Sequence, residues 1–159
     1  WDTIYAPELA PLEQLEQLIE YLASGEMDAR ALAGLERADH PFEVTGCPFF
    51  CAGGQVGIEE VKVRQAAMEM AEQGVQDAAE LVRSLKADGY LDGDANAEQV
   101  ARMAFMFVQG LLIYARVYNS RTIVEADLRD GLYRILDIKP EYRRAPKRKR
   151  AATKSPAPA

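Results

Sequence analysis

A chain of 159 residues, 48% hydrophobic and 28% charged, is long enough for one ordinary domain with a sizeable core and a small cavity. Its net charge of −6 joins two unlike parts: residues 1–138 hold 11 of the 19 basic and 24 of the 25 acidic side chains, a balance of −13, while residues 139–159 hold the other 8 and 1, a balance of +7. An acidic body repels phosphate, which argues against a nucleic-acid surface on the body itself, and two cysteines make no disulfide framework.

The longest uncharged stretches, 44–58 and 103–115, are too short to span a bilayer, and Asp2 and Glu8 stand where a secretion signal needs a basic start and an apolar run. With the cysteines suited to a reducing compartment, a cytoplasmic protein without membrane contact is expected. The chain starts at Trp1 rather than a methionine, so a further segment upstream is expected. The division expected is a folded body over 1–138 and a basic, disordered tail over 139–159.

Leu12, Leu15, Leu18, Ile19 and Leu22 recur at three- and four-residue steps after Pro11, which predicts an amphipathic helix ending near Gly25. Residues 27–44 have weaker periodicity around Ala31, Leu32 and Leu35 before His40 and Pro41, reading as a short helix and a loop. Residues 46–57 set Cys47, Phe49, Phe50 and Cys51 beside Gly53, Gly54 and Gly57, which predicts a short, loosely held helix. From Ile58 to Asp88 a proline-free run places Val61, Met68, Val75, Ala79, Val82 and Leu85 on one face of a long helix closed by Gly89.

Tyr90 to Asn96 reads as a polar turn. The next segment, Asn96 to Tyr118, is apolar on nearly its whole circumference: Val100, Met103, Ala104, Phe107, Leu111, Tyr114 and Ala115 make one face, and Phe105, Val108, Leu112 and Ile113 cover much of the other. Such a helix must be buried on two sides, one by the core and one by a second subunit. A last helix is predicted over Thr122 to Ile138, with Val124, Leu128, Leu132, Ile135 and Leu136 on its stripe and a capping box formed by Thr122 and Glu125. An all-α fold of about six helices follows.

Little here supports catalysis. Cys47 and Cys51, four apart, would share a helix face as a redox pair or two soft-metal ligands, but structural zinc needs about four ligands, so ordinary buried cysteines are the expectation and no metal or cofactor is assigned. One histidine, His40, excludes two-histidine zinc motifs, and neither a G-x-S-x-G, a P-loop nor a Rossmann glycine pattern is present. No catalytic residue is assigned. The segment Pro146-Lys147-Arg148-Lys149-Arg150 fits an inert solvated tail, unspecific phosphate contact or, in another setting, a nuclear localisation signal.

Three segments resemble the C-terminal regulatory domain of the TetR family of bacterial transcriptional regulators. Gly46-Cys47-Pro48-Phe49 resembles the "GCPFGNLA" opening of a short helix; "AAELVRSLKADGYLDG" over 78–93 resembles the long helix's end and acidic turn; "AEQVARMAFMFVQGLLIYAR" over 97–116 is similar to "PEALARFLLAALQGALLLAR", including the pair Gln109-Gly110. Residues 50–54, "FCAGG", depart from the family's "GNLA".

The resemblance implies a repressor's effector-sensing domain, a homodimer in which the last two long helices pair with their copies in a four-helix bundle, and an N-terminal helix-turn-helix domain, outside this chain, that reads operator DNA. For a small, partly apolar effector, Phe49, Phe50, Met68, Met103, Phe107 and Leu111 are the candidate lining, with Gln109 or Arg116 orienting a polar end. The bland reading of the same residues is ordinary core. Leu112, Tyr114, Tyr118, Leu128, Leu132 and Ile135 are the candidates for the subunit interface. A helical adaptor with no small-molecule site, using the apolar last helices to hold a partner protein, is the alternative.

Overall fold

The structure is a computed structural model that describes residues 8–32 and 43–144. His40, the upstream end of the chain and the basic run 147–150 lie outside the described residues. Six α-helices follow in order, α1 Pro11–Ser24, α2 Glu26–Leu32, α3 Pro48–Gln55, α4 Val61–Ala87, α5 Ala97–Tyr118 and α6 Arg121–Ile135, and no strand is present among the described residues. The all-α architecture is as the sequence predicts.

The helix ends have local causes. Pro11 occupies the first turn of α1, where a missing N–H costs nothing, and Gly25 stops the helix with φ 86°. A Cβ at Gly25 would also stand 2.5 Å from the Arg121 guanidinium carbon, so glycine lets α6 approach here. Asn96 caps α5 by accepting from the Gln99 N–H at 3.0 Å, and Asn119, left-handed at φ 48°, ends it. The helix α6 begins at Arg121 after Ser120, with no side-chain cap, so the predicted Thr122–Glu125 capping box does not form; Thr122 Oγ1 instead lies 2.7 Å from Ser120 Oγ.

The end of α6 also differs from the expectation of Ile138. Asp137, at φ 54°, turns the chain back so that Ile138 pairs with Leu91 in an isolated antiparallel bridge, with Asp92 N–H donating to the Asp137 carbonyl and Lys139 N–H to the Tyr90 carbonyl. Contact continues past 138. Tyr142 packs edge-on against Tyr90 at 4.9 Å, Lys139 Nζ donates to the Gly89 carbonyl, and Arg144 N–H donates to the Tyr133 hydroxyl, so residues 139–144 lie against the body.

The core forms where α1, α4, α5 and α6 meet, around the fully enclosed Leu15, Leu85, Leu112, Leu128 and Val124. Burying each large side chain contributes about 1.5–3 kcal/mol. The long helix takes part only with its second half. Ala79, Leu81, Val82 and Leu85 are buried, but Val61 and Met68, on the same predicted stripe, are exposed, because the first half of α4 lies outside the core, where Ala67 faces Gly53 of α3 and Gly74 faces Phe105 of α5.

Two glycines set the distance of α5 from its neighbours. A Cβ at Gly74 would overlap the Phe105 ring, and one at Gly131 would overlap the Phe107 ring. A buried polar cluster then fixes α1 on α6: Glu16 accepts from Arg129 Nη1 with one carboxylate oxygen and from the Tyr133 hydroxyl with the other. Burial first, and the bond to Glu16 second, hold the Tyr133 phenol above its ordinary value.

Gly131→Ala adds helix propensity of about 1 kcal/mol but collides with Phe107, so the substitution should destabilise the wild type and stabilise a Phe107→Ala background; equal effects in a double-mutant urea-denaturation cycle would refute the contact. Tyr133→Phe should cost about 1–3 kcal/mol at neutral pH by leaving a Glu16 oxygen unpartnered. Because the folded phenol titrates above the unfolded one, stability tied to it is complete below the unfolded value near 10 and is lost as pH rises through the folded value. The wild-type advantage over Tyr133→Phe should therefore shrink in alkaline denaturation curves.

Candidate functional site

Residues 43–47 lead into α3 and are held from two sides. Asp28 of α2, buried, accepts from the Thr45 N–H at 2.6 Å and the Thr45 hydroxyl at 2.7 Å with Oδ1, and from Arg121 Nη2 at 2.8 Å with Oδ2. Arg121 Nη2 also donates to the Glu43 carbonyl, and the Glu43 N–H donates to Asn119 Oδ1 at 2.7 Å. From α5, Arg116 Nη1 donates to the Thr45 carbonyl at 3.0 Å. The segment is thus tied to α2, to α5 and to the α5–α6 turn, and it leads into α3, which packs on α4.

The helix α3 buries none of its residues. It approaches α4 closely where Gly53 faces Ala67, and it reaches α5 where the Phe50 ring meets Phe105 at 5.7 Å, tilted by 59°. Cys47 is buried at its start and Cys51 is half-buried, with Sγ 4.0 Å from the Thr45 carbonyl, as for ordinary packed thiols. Among the described residues, no group of three His, Cys, Asp or Glu side chains is gathered for a metal ion.

The predicted ligand residues do not share one place. Phe50, on α3, meets α5 at Phe105, and Gln109 is buried on α5 one turn beyond Phe105, while Phe49 and Met68 are exposed on α3 and α4. Phe107 packs against Gly131 of α6, and Leu111 is buried in the core, so both face away from α3. Met103 is exposed on the outer arc of α5. Arg116, the other polar candidate, is engaged by Thr45. Phe105, which helix spacing alone assigns to no function, proves to be the α5 residue that meets α3; its spacing of four from Gln109 is the signal that would have found it.

The candidates for a subunit interface divide as well. Leu112, Leu128 and Leu132 are 1–3% exposed and belong to the core of the single chain, so they are not free to meet a second copy. Ile135 is partly buried against that core. Tyr114 and Tyr118 do lie outside, 53% and 62% exposed, on an arc of α5 that also carries Met103, Met106, Ile113 and Val117. Their rings stand 4.8 Å apart, and the hydrogen bond with Tyr118 raises the Tyr114 phenol above its ordinary value.

By length and composition α5 is the one helix among the described residues apolar enough to cross a membrane. Its packing on α4 and α6 makes it a core helix with one uncovered side. The arrangement sets the Phe50 and Phe105 rings together and, among the described residues, buries one side-chain amide, that of Gln109.

Removing the Asp28 carboxylate should release the segment before α3. Asp28→Ala is expected to destabilise the fold by about 3–5 kcal/mol and to speed hydrogen exchange at the Thr45 amide more than at Leu85. An unchanged Thr45 exchange rate would contradict this assignment.

Residues 27–130 match the family model described as tetracyclin repressor-like, C-terminal domain, over well more than half of the chain. Nothing among curated proteins or solved structures matches.

Proposed function

As a member of the family of tetracyclin repressor-like C-terminal domains, the chain is a regulatory domain of that kind, and we propose that it senses a small, partly apolar effector for a TetR-like transcriptional repressor and pairs with a second copy through α5 and α6. Operator DNA would be read by an N-terminal helix-turn-helix domain, and the acidic body would stay clear of phosphate.

The observation that carries the reading is the two-sidedness of α5. One side is buried in the chain's own core, and the opposite arc leaves Met106, Val117 and Tyr118 open to solvent at 57%, 76% and 62%. A continuous apolar arc of this kind fits a docking face. Two copies meeting on it would bring four helices together, with Asp127, Asp130 and Arg134 of α6 as a polar rim.

The mechanism is a population shift: an effector acts only through its difference in affinity for two arrangements of the paired domains. Route and site would be close neighbours, because α5 carries Phe105 toward α3 on one arc and the subunit face on another. α1, bound to α6 through Glu16, would carry the change toward the DNA-reading domain.

Native mass spectrometry of the purified chain tests both halves of the reading. A dimer with retained small-molecule mass is expected, and a strict monomer at micromolar concentration would overturn the pairing. Val117→Glu, which places a charge on the open arc, should weaken the dimer by at least about tenfold in sedimentation equilibrium while far-ultraviolet circular dichroism stays unchanged. A chain that remains monomeric and instead captures a partner protein through this arc would favour the adaptor.

A further inference from the structure

Gln109 is only 9% exposed, and its Oε1 has no hydrogen-bond partner among the described residues. An unpartnered buried amide oxygen is costly, and a leucine or methionine at this position would carry no such penalty. Helix spacing puts Gln109 on one arc with Phe105, one turn before it, and Arg116, two turns after it. Phe105 lies against Phe50 and Gly74, and Arg116 lies beside Gly46 and Thr45, so by helix spacing the amide falls between a contact with α3 and a contact with the segment leading into it.

The cover on that side is thin. No residue of α3 is buried, and no residue of α4 is buried before Ala79. Of the two cations on this arc, Arg116 is engaged by Thr45 and Arg102 is exposed. An anionic group would therefore meet an acceptor oxygen, and an ammonium would lose its water to a single neutral partner.

We infer that Gln109 is the polar anchor of the effector site and that the effector is a small neutral molecule with an apolar, ring-bearing body, donating one hydrogen bond from a hydroxyl or N–H to Gln109 Oε1. The inference rests on the effector-sensing reading and narrows it. Phe50 and Phe105 supply the ring surface, and Oε1 sets the requirement for a donor.

The test is isothermal titration of the full chain with para-ethylphenol, its methyl ether para-ethylanisole, and octanoate. The wild type should bind the phenol about tenfold more tightly than the ether, as one hydrogen bond to a buried acceptor allows. Gln109→Met should keep the ether's affinity, lose the preference for the phenol, and melt without ligand at or above the wild-type temperature; Gln109→Leu serves if the methionine variant does not fold. No preference in the wild type, or one that survives in the variant, overturns the inference. Octanoate as the sole binder overturns it and leaves the sensing reading intact. If none of the three binds at about 1 mM, the donor requirement falls, while the sensing reading is decided by the mass spectrometry. A variant that loosens the dimer and leaves the preference unchanged assigns the amide to the subunit seam instead.

Discussion

A helix of twenty-two residues that is apolar around nearly its whole circumference needs cover on more than one side, and α4 and α6 supply most of it among the described residues. On one flank of α5, Phe105 enters the space that Gly74 leaves in α4; on another, Phe107 enters the space that Gly131 leaves in α6. Small residues, Ala101, Ala104 and Ala115, let the core close between them. What remains is an outer arc that the other five helices of the described residues do not cover. Core, ring-lined flank and open face are thus three sectors of one helix.

Packing of this kind is non-directional, so the orientation of the outer helices comes from elsewhere. Two buried carboxylates supply it: Glu16, from α1, held by Arg129 and Tyr133, and Asp28, from α2, held by Arg121 and Thr45. Both arginines belong to α6. Buried ion pairs add little stability compared with apolar packing of the same volume, but removing one partner is expensive, and that asymmetry enforces a particular arrangement. The consequence is that α6 acts as a strut. It fixes α1 at one place and the approach to α3 at another, so the first helix and the segment leading into the candidate site answer to the same element.

How far the sequence reveals this depends on the range of the cause. The ends of α1 and α5 are written locally, in Pro11, Gly25 and Asn96, and periodicity and capping find them. The family resemblance in 46–49, 78–93 and 97–116 extends that reading to the architecture. Burial is a different matter. Met68 and Leu85 sit on the same predicted stripe of α4, yet one is exposed and the other is fully enclosed, because only the second half of the helix has the core beneath it. Likewise Leu112 and Leu132 read as partner-facing, and they are core because α1 and α4 fill the space beside them. The bonds from Arg121 to Asp28 and from Arg129 to Glu16 span 93 and 113 residues, and no local pattern encodes them.

The place where local rules and the folded structure disagree most is also the candidate site. Elsewhere the buried polar groups are met: Glu16 and Asp28 each accept bonds at both oxygens. Gln109 Oε1 alone is without a partner among the described buried side-chain atoms. By helix spacing it falls between Phe105, which meets α3, and Arg116, which holds the segment leading into α3, a helix that buries none of its residues. A fold selected for stability alone would remove either feature, since an apolar residue at 109 or a better-packed α3 is a small change. Natural sequences tolerate such inconsistencies chiefly where function needs them. An unmet acceptor beside a helix that buries nothing is unfavourable by itself, and under the proposed sensing function a donor-bearing effector would shift the population toward the arrangement that holds it.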